Sequence, residues 1–392
     1  MTKKTGITFI YVAVFGRYMN IEKTRWYSWK KGSLAKGCRL CVQGKKLVLF
    51  VTGLCPRHCY YCPISEKKWH RDVIYANEWK INSKNDLIEE AKLTEAEGAG
   101  ITGGDPLARI DRTANFIKLL KKKFGKKFHI HLYTSLDLVD EKKLKMLHTA
   151  GLDEIRIHPD FYNNKFWHKI DLIKEFNWKI GVEIPAIPHL EKQTFKLIDF
   201  FRDKIDFLNI NELEISDTNA QMLVAKGFRT KNAISYGVKG SEELAKKILR
   251  KYDMNIHYCT TTLKDRIQLA RRIKRRARNV ARKFDRITKA GTLIRGAIYL
   301  PELLPSFGYA EKLEKMNKKP AIEKLKRIAL NLQKEFKLKK DMLVIDALKP
   351  RILTSESIAR KLGRKLKAKG LRPAVVEQYP TQDQLELDIM FL

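Results

Sequence analysis

Apolar runs of four to eight residues recur along the first two thirds of the chain, at 47–52, 99–102, 128–134, 154–158, 179–187, 207–215 and 255–259. Short runs of that kind read as strands buried on both faces, as in a parallel sheet. Between them the spacing of apolar positions lengthens to the helical period near 83–98, 111–124, 140–150, 163–176, 192–204 and 216–226, with Asn82-Ser83 and Asp140 placed as caps. Six strand–helix repeats predict an α/β fold, a parallel sheet curved toward a partial (β/α)6 barrel. Ligands of such sheets sit beyond the carboxyl ends of the strands. That rule nominates Thr134, Ser135, Arg156, His158, Glu183, Asn211 and Glu212, although polar residues at strand ends also serve as caps and turn formers.

Beyond residue 262 the pattern changes. Ile267, Ala270, Ile273, Ala277, Val280 and Phe284 form one helical stripe, and between Lys264 and Lys289 there are twelve Lys or Arg against two Asp. The stripe predicts a docked helix with a cationic outer face, carried by Arg271, Arg272, Lys274, Arg275, Arg276 and Arg278. Strand-like runs at 292–300, 342–346, 373–378 and 385–391, alternating with helices near 320–337 and 354–368, then predict a smaller α+β domain. The chain thus divides into an N-terminal extension (1–46), a barrel (47–262), a basic helix (263–285) and an accessory domain (286–392). In the extension, Tyr18, Arg25, Trp26, Tyr27, Trp29, Lys30 and Lys31 interleave rings and cations. Such a segment either stacks bases and pairs phosphates or packs on the barrel as a cover.

Composition adds a charge imbalance. The 392 residues carry 79 Lys and Arg against 44 Asp and Glu, a net charge of +35. That excess repels itself on compaction and suits a polyanionic partner, nucleic acid foremost. A thermophile's lysine-rich surface is the plainer explanation, but it raises Glu in step. No run of about eighteen apolar residues is present, and no signal peptide is expected, so the chain is read as cytoplasmic with no membrane partner.

Candidate chemistry centres on Cys55, Cys59 and Cys62, spaced C-x3-C-x2-C directly after the first apolar run. Three thiolates on one loop can anchor three irons of a [4Fe-4S] cluster and leave the fourth open to an exogenous ligand. Structural zinc takes four ligands, usually in two pairs, and fits an odd triplet poorly. After the second apolar run stands Gly103-Gly104-Asp105-Pro106, whose glycines let backbone approach a ligand closely. A second set, Cys38 and Cys41 with His257 and Cys259, offers four ligands for zinc or an auxiliary cluster. The alternative is a packed core histidine and small buried cysteines. Six cysteines, five of them between Cys38 and Cys62, suit a reducing compartment.

The cysteine loop, with Tyr61 just before its third cysteine, resembles the cluster loop of the radical S-adenosylmethionine (SAM) superfamily. Val73–Glu78 and Ile101–Pro106 are similar to a group of archaeal members related to the pyruvate formate-lyase activating enzyme, a likeness covering roughly residues 37–285. The resemblance implies a partial barrel holding a [4Fe-4S] cluster and SAM, reduced by an electron-donor protein, and cleavage of SAM to a 5′-deoxyadenosyl radical. It implies that Gly103, Gly104 and Asp105, at the family's "GGE" element, meet the SAM amino group, with Asp105 in place of the usual Glu. It further implies SAM contacts from Tyr61, Ser135 and Arg156, and places Glu183 and Glu212 toward the adenine or substrate. Three functions follow. The charge favours a radical SAM enzyme that modifies RNA, a tRNA nucleoside foremost. The alternatives are an activator that makes a glycyl radical on a partner enzyme, and a non-enzymatic metal-stabilised RNA-binding protein.

Overall fold

In the computed structural model, which describes residues 19–392, the seven apolar runs form seven parallel strands. In chain order they are β1 (Lys46–Phe50), β2 (Gly98–Thr102), β3 (His129–Thr134), β4 (Glu154–Ile157), β5 (Lys179–Ala186), β6 (Phe207–Glu212) and β7 (Ile256–Cys259). Each pairs with the next, from Lys46 opposite Gly98 through Leu208 opposite Ile256. The sheet stays open, because β1 and β7 do not meet. Strand Trp29–Lys31, itself paired with Ile21–Lys23, adds antiparallel to β7, and the hairpin Tyr75–Ala76 with Trp79–Lys80 adds to β1. Both parallel edges are therefore covered, as sheets require if they are not to pair with other chains. Trp29 and Lys31 work as that cover: the indole N–H donates to Glu242 and the ammonium to the Tyr252 carbonyl. Tyr18 lies outside the described residues.

The pleat sorts the strand residues onto two faces. Leu47, Leu49, Ile101, Ile130, Leu132, Ile155, Ile157, Val182, Ile210 and Ile256 pack in one apolar core with the crossover helices. The opposite face is polar, and this is what apolar periodicity alone did not reveal. There His131 and Tyr133 of β3, Glu154 and Arg156 of β4, Glu183 of β5, Asn209 and Asn211 of β6 and His257 of β7 are joined by hydrogen bonds and ion pairs. A short helix, Lys36–Val42, plugs this concave face. Gly37 permits the approach, since a Cβ there would lie 2.4 Å from His131 Nδ1 and 2.5 Å from Arg156 Nη2.

After β7 the chain passes through a π-helical segment, Lys264–Leu269, into the helix Ala270–Val280. The accessory domain is an antiparallel sheet in the order Val344–Asp346, Arg351–Thr354, Leu293–Tyr299, Arg372–Gln378, Glu386–Phe391, with Arg286–Ile287 paired to Leu293–Ile294. Helices Lys319–Glu335 and Glu356–Ala368 cover one face through Leu325, Leu332, Leu362 and Leu366. No helix among the described residues is long and apolar enough to cross a membrane.

Candidate active site

The three cysteines lie on the loop that leaves β1, and the ends of the neighbouring strands hold that loop in place. Arg57 sends Nε to Asp137 Oδ2 at 2.8 Å and Nη1 to the His158 carbonyl at 2.7 Å, tying the loop to the segments after β3 and β4. The Tyr61 hydroxyl lies 2.9 Å from His158 Nε2, and His158 Nδ1 lies 2.9 Å from the Glu183 carbonyl on β5. From beyond β6, Asn219 Nδ2 donates to the Tyr61 carbonyl at 3.1 Å and Thr218 Oγ1 to the Cys62 carbonyl at 3.4 Å. Arg57, Asp137 and Asn219 went unnoticed in the sequence because nothing local marks a residue whose partner is eighty or more positions away. The strand-end rule did nominate His158.

The glycine pair is fixed by close approach. A Cβ on Gly103 would lie 2.4 Å from the Thr52 carbonyl oxygen, and one on Gly104 2.5 Å from that of Leu54. The Gly104 N–H donates to Thr52 O and the Asp105 N–H to Leu54 O, both at 2.8 Å. The turn after β2 is thereby stitched to the entry of the cysteine loop. Asp105 departs from the expectation that it meets the SAM amino group. It is fully buried, and its carboxylate accepts from Leu107 N, Thr134 Oγ1, Ser135 N and Ser135 Oγ at 2.7–3.0 Å. Burial pushes its pKa up against those hydrogen bonds. The shorter side chain caps the turn Pro106–Arg109 and clamps β3, and the Ser135 hydroxyl is committed with it.

Arg156 likewise is not offered to a ligand. It is 2% exposed, with Nε on Glu154 at 2.7 Å and Nη1 on Glu183 at 2.8 Å, and Nη1 and Nη2 reach Tyr133 Oη and Cys38 Sγ at 3.3 and 3.4 Å. Glu183 also accepts from Asn211, and Glu212 is held by Thr261 and Lys231. These side chains cross-link the strands beneath the mouth. The buried guanidinium gives each of the two carboxylates a hydrogen-bonded partner, and His129 and Asn211 add to them, which is the condition for keeping such charges out of water.

Cys38, Cys41, His257 and Cys259 do share this interior, but not as a closed ligand set. Cys38 Sγ faces Arg156 and Asn209, His257 Nδ1 is taken by Asn209 at 2.9 Å, and Cys259 accepts from Gln268. Burial holds the His257 ring neutral, with a pKa near about 3, and pushes the Cys259 thiol up to about 12. Among the described residues no three His, Cys, Asp or Glu side chains converge as a single metal ion demands. The four side chains therefore do not close around a single zinc ion in this arrangement, and His257 Nε2 is buried without a hydrogen-bond partner.

The triplet differs. A cluster spreads its thiolates over separate irons, so Cys55, Cys59 and Cys62 need to line one loop, not one point. All three are free and half-buried. Cys55 Sγ accepts the Arg57 N–H at 3.4 Å, a contact that favours a thiolate ligand. Burial raises all three thiols, Cys55 to about 11, so loading a metal must displace protons. The donor set fits an iron–sulfur cluster with one unclaimed iron.

The basic helix corrects a further expectation. Arg271 donates to the Val42 carbonyl, Arg272 pairs with Glu78, Arg275 with Glu95 at 2.6 Å, and buried Arg276 with Glu90 at 2.8 Å and with the Pro380 carbonyl. Four of the six cations assigned to RNA thus face the protein. Ile273 and Ala277 do dock, but the arginines beside them reach acids on the segment 78–95. Of the six, Arg271, Lys274 and Arg278 form no ion pair among the described residues, and Arg271 is held by the Val42 carbonyl instead.

A model of the radical SAM superfamily matches residues 49–184. A protein of Methanocaldococcus jannaschii that carries the provisional name glycyl-radical enzyme activating enzyme is 45% identical over 290 residues, covering 71% of this chain and 77% of its own. Among solved structures, a radical SAM methyltransferase of Kitasatospora setae with tryptophan and a SAM analogue bound is 12% identical at a TM-score of 0.38, covering 62% of this chain and 54% of that one. Methylornithine synthase gives 12% and 0.35, covering 55% and 71%. The name of the archaeal relative, together with the inward-facing arginines, overturns the expectation of an RNA-modifying, RNA-binding enzyme.

Proposed function

The chain belongs to the radical SAM superfamily, with the [4Fe-4S] cluster and SAM that this implies, and we propose that it is an activating enzyme that places a radical on a glycine of a partner protein. The carrying observation is the 45% identical relative of that name. In this reading Cys55, Cys59 and Cys62 would hold the cluster, which would supply one-electron chemistry for reductive cleavage of SAM. Gly103 and Gly104 shape the adjoining backbone for the SAM head group, while Tyr61 and His158 wall the mouth between β4 and β5.

The rim supports a polypeptide substrate. Tyr162, Met222 and Val224 are exposed at 67%, 49% and 63%. Met222 and Val224 lie on the helix that follows Asn219 and Thr218, the residues hydrogen-bonded to the cysteine loop. The Lys226 ammonium sits 4.8 Å above the Tyr60 ring beside them. Exposed apolar side chains gathered around a buried reaction centre suit a docked peptide segment. The reconstituted, dithionite-reduced protein is expected to turn SAM into 5′-deoxyadenosine and to raise a glycine-centred doublet in the electron paramagnetic resonance spectrum of a glycyl-radical enzyme from the same organism. 5′-Deoxyadenosine without any protein radical would overturn the activating role.

A further inference from the structure

Tyr61, Thr218 and Asn219 bond one stretch of the cysteine loop to the strand ends, while another stretch of it reaches the surface. His58, between the first two cysteines, is exposed there. Its ring stacks on His70 with centroids 4.7 Å apart and planes 30° apart, and His70 contacts Trp69 at 4.6 Å. Trp69 is 48% exposed, a large ring to leave in water. The three rings form a ladder from solvent to the loop that carries the thiolates.

The ladder is fixed in place. The Gly53 N–H donates to the Arg71 carbonyl at 2.8 Å and the His70 N–H to the Gly53 carbonyl at 3.2 Å, so the segment 65–71 is bonded to the residue just before the cysteine loop. A Cβ on Gly53 would lie 1.7 Å from the Lys68 carbonyl oxygen, so only glycine admits this packing. His70 adopts φ 53, a left-handed conformation that costs an ordinary side chain free energy and turns its ring onto His58. Asp72 closes the segment by pairing with Arg109 and Arg112 and accepting from Thr52. Beside Trp69, Lys67 and Arg71 are exposed and form no ion pair among the described residues; Glu66 is the one acid of 65–71.

We propose that this face, built from His58, Lys67, Trp69, His70 and Arg71, is the docking surface for a small acidic one-electron carrier protein that reduces the cluster. Electron transfer falls steeply with distance, so a carrier must dock where the loop comes to the surface, and the mouth must stay free for SAM and substrate. The local cations, within a chain of net charge +35, would steer an acidic partner onto that spot. One electron leaves the carrier and one enters the oxidised cluster, with no bond made or broken. The inference rests on the cluster, not on the identity of the final substrate.

The test uses the full-length reconstituted protein and follows bleaching of cluster absorbance in stopped flow, with flavodoxin hydroquinone or dithionite as reductant. Trp69→Ala and the double variant Lys67→Glu/Arg71→Glu are expected to slow reduction by flavodoxin about tenfold or more, and the double variant also to flatten its dependence on salt. Reduction by dithionite, and the iron content, should match wild type. The charge variant alters only exposed side chains, so it stays informative if the Trp69 variant folds poorly. Unchanged flavodoxin rates, or a wild-type cluster that dithionite reduces and flavodoxin does not, would overturn the proposal. Failure of the dithionite-reduced wild type to make 5′-deoxyadenosine would instead sink the enzymatic reading.

Discussion

The cysteine loop and the helix Ala270–Val280 are the two most chemically loaded stretches of the chain, and their chemistry is settled at different ranges. In the loop, three thiols within eight residues remain free and half-buried, ringed by neighbours that spend their own polar groups on holding the backbone. In the helix, Arg271, Arg272, Arg275 and Arg276 are satisfied by a carbonyl and carboxylates 180 to 229 residues earlier. A group left without a protein partner at a strand end is available for chemistry; a group with one is structure, whatever its local charge density suggests.

The largest test of that contrast is Cys59→Ala. Two thiolates cannot hold the open-iron geometry, so SAM cleavage should be abolished, read as absence of 5′-deoxyadenosine together with loss of bound iron. Apo-protein stability should change by no more than about 1 kcal/mol, because the thiol fills no core position. Retained cleavage would break the comparison at its functional end.

Next comes Arg276→Met, where the loss should fall on stability and not on chemistry. Glu90 is 1% exposed and is held by Arg276 and by Asn77 at 2.8 Å, yet burial already pushes its carboxyl pKa up. Removing the guanidinium leaves an uncompensated buried carboxylate, a change that costs about 3–5 kcal/mol. The sign with pH follows. Without Arg276 the folded-state pKa of Glu90 rises further above its unfolded value, so the penalty is fully present above that folded pKa and shrinks as acidification protonates the group. Urea melts of variant and wild type should therefore converge toward low pH, and Glu90→Gln added to the variant should recover much of the loss. A deficit that does not depend on pH would place the effect in lost packing instead.

The same division of range explains what could be read in advance. Seven apolar runs marked seven strands because every second residue of each packs in the apolar core, a period-two signal that survives a polar opposite face. The cysteine spacing and Gly103-Gly104 were legible because they too are local. The polar inner face was not, because Glu154, Arg156, Glu183 and Asn209 alternate with apolar neighbours and satisfy one another only across strands. Asp105 was misread as a ligand because its four donors come from Leu107, Thr134 and Ser135, and three of them cross to the end of β3. The helix Ser241–Lys251 was passed over despite buried Leu244, Ile248 and Leu249, since its charged face masks a narrow apolar stripe. Strand Arg351–Thr354 hid behind the fully buried Arg351, whose partners Asp346, Tyr299, Gln378 and Glu386 are scattered over the accessory domain.

The smallest effect should come from Arg275→Ala, one residue away from Arg276 and of the same chemical type. Arg275 pairs with Glu95 at 2.6 Å, but the two side chains are 21% and 44% exposed, so water screens the pair and an isolated Glu95 can rehydrate. The pKa of Glu95 is held below the ordinary carboxylate range first by the Asn279 hydrogen bond and also by Arg275, with burial opposing. Asn279 survives the substitution. The expected loss is therefore below about 1 kcal/mol and should fade in molar salt. With the folded-state pKa depressed, the contribution is present above the unfolded value of the carboxyl and disappears as pH falls through the folded one. Adjacent arginines on one helix should thus differ severalfold in cost while sharing a pH trend for opposite reasons, the deficit at 276 narrowing on acidification because a stranded acid is neutralised and that at 275 because a favourable pair is lost from wild type. Equal costs at the two positions would mean that burial, not sequence neighbourhood, is the wrong variable for sorting this chain's cations.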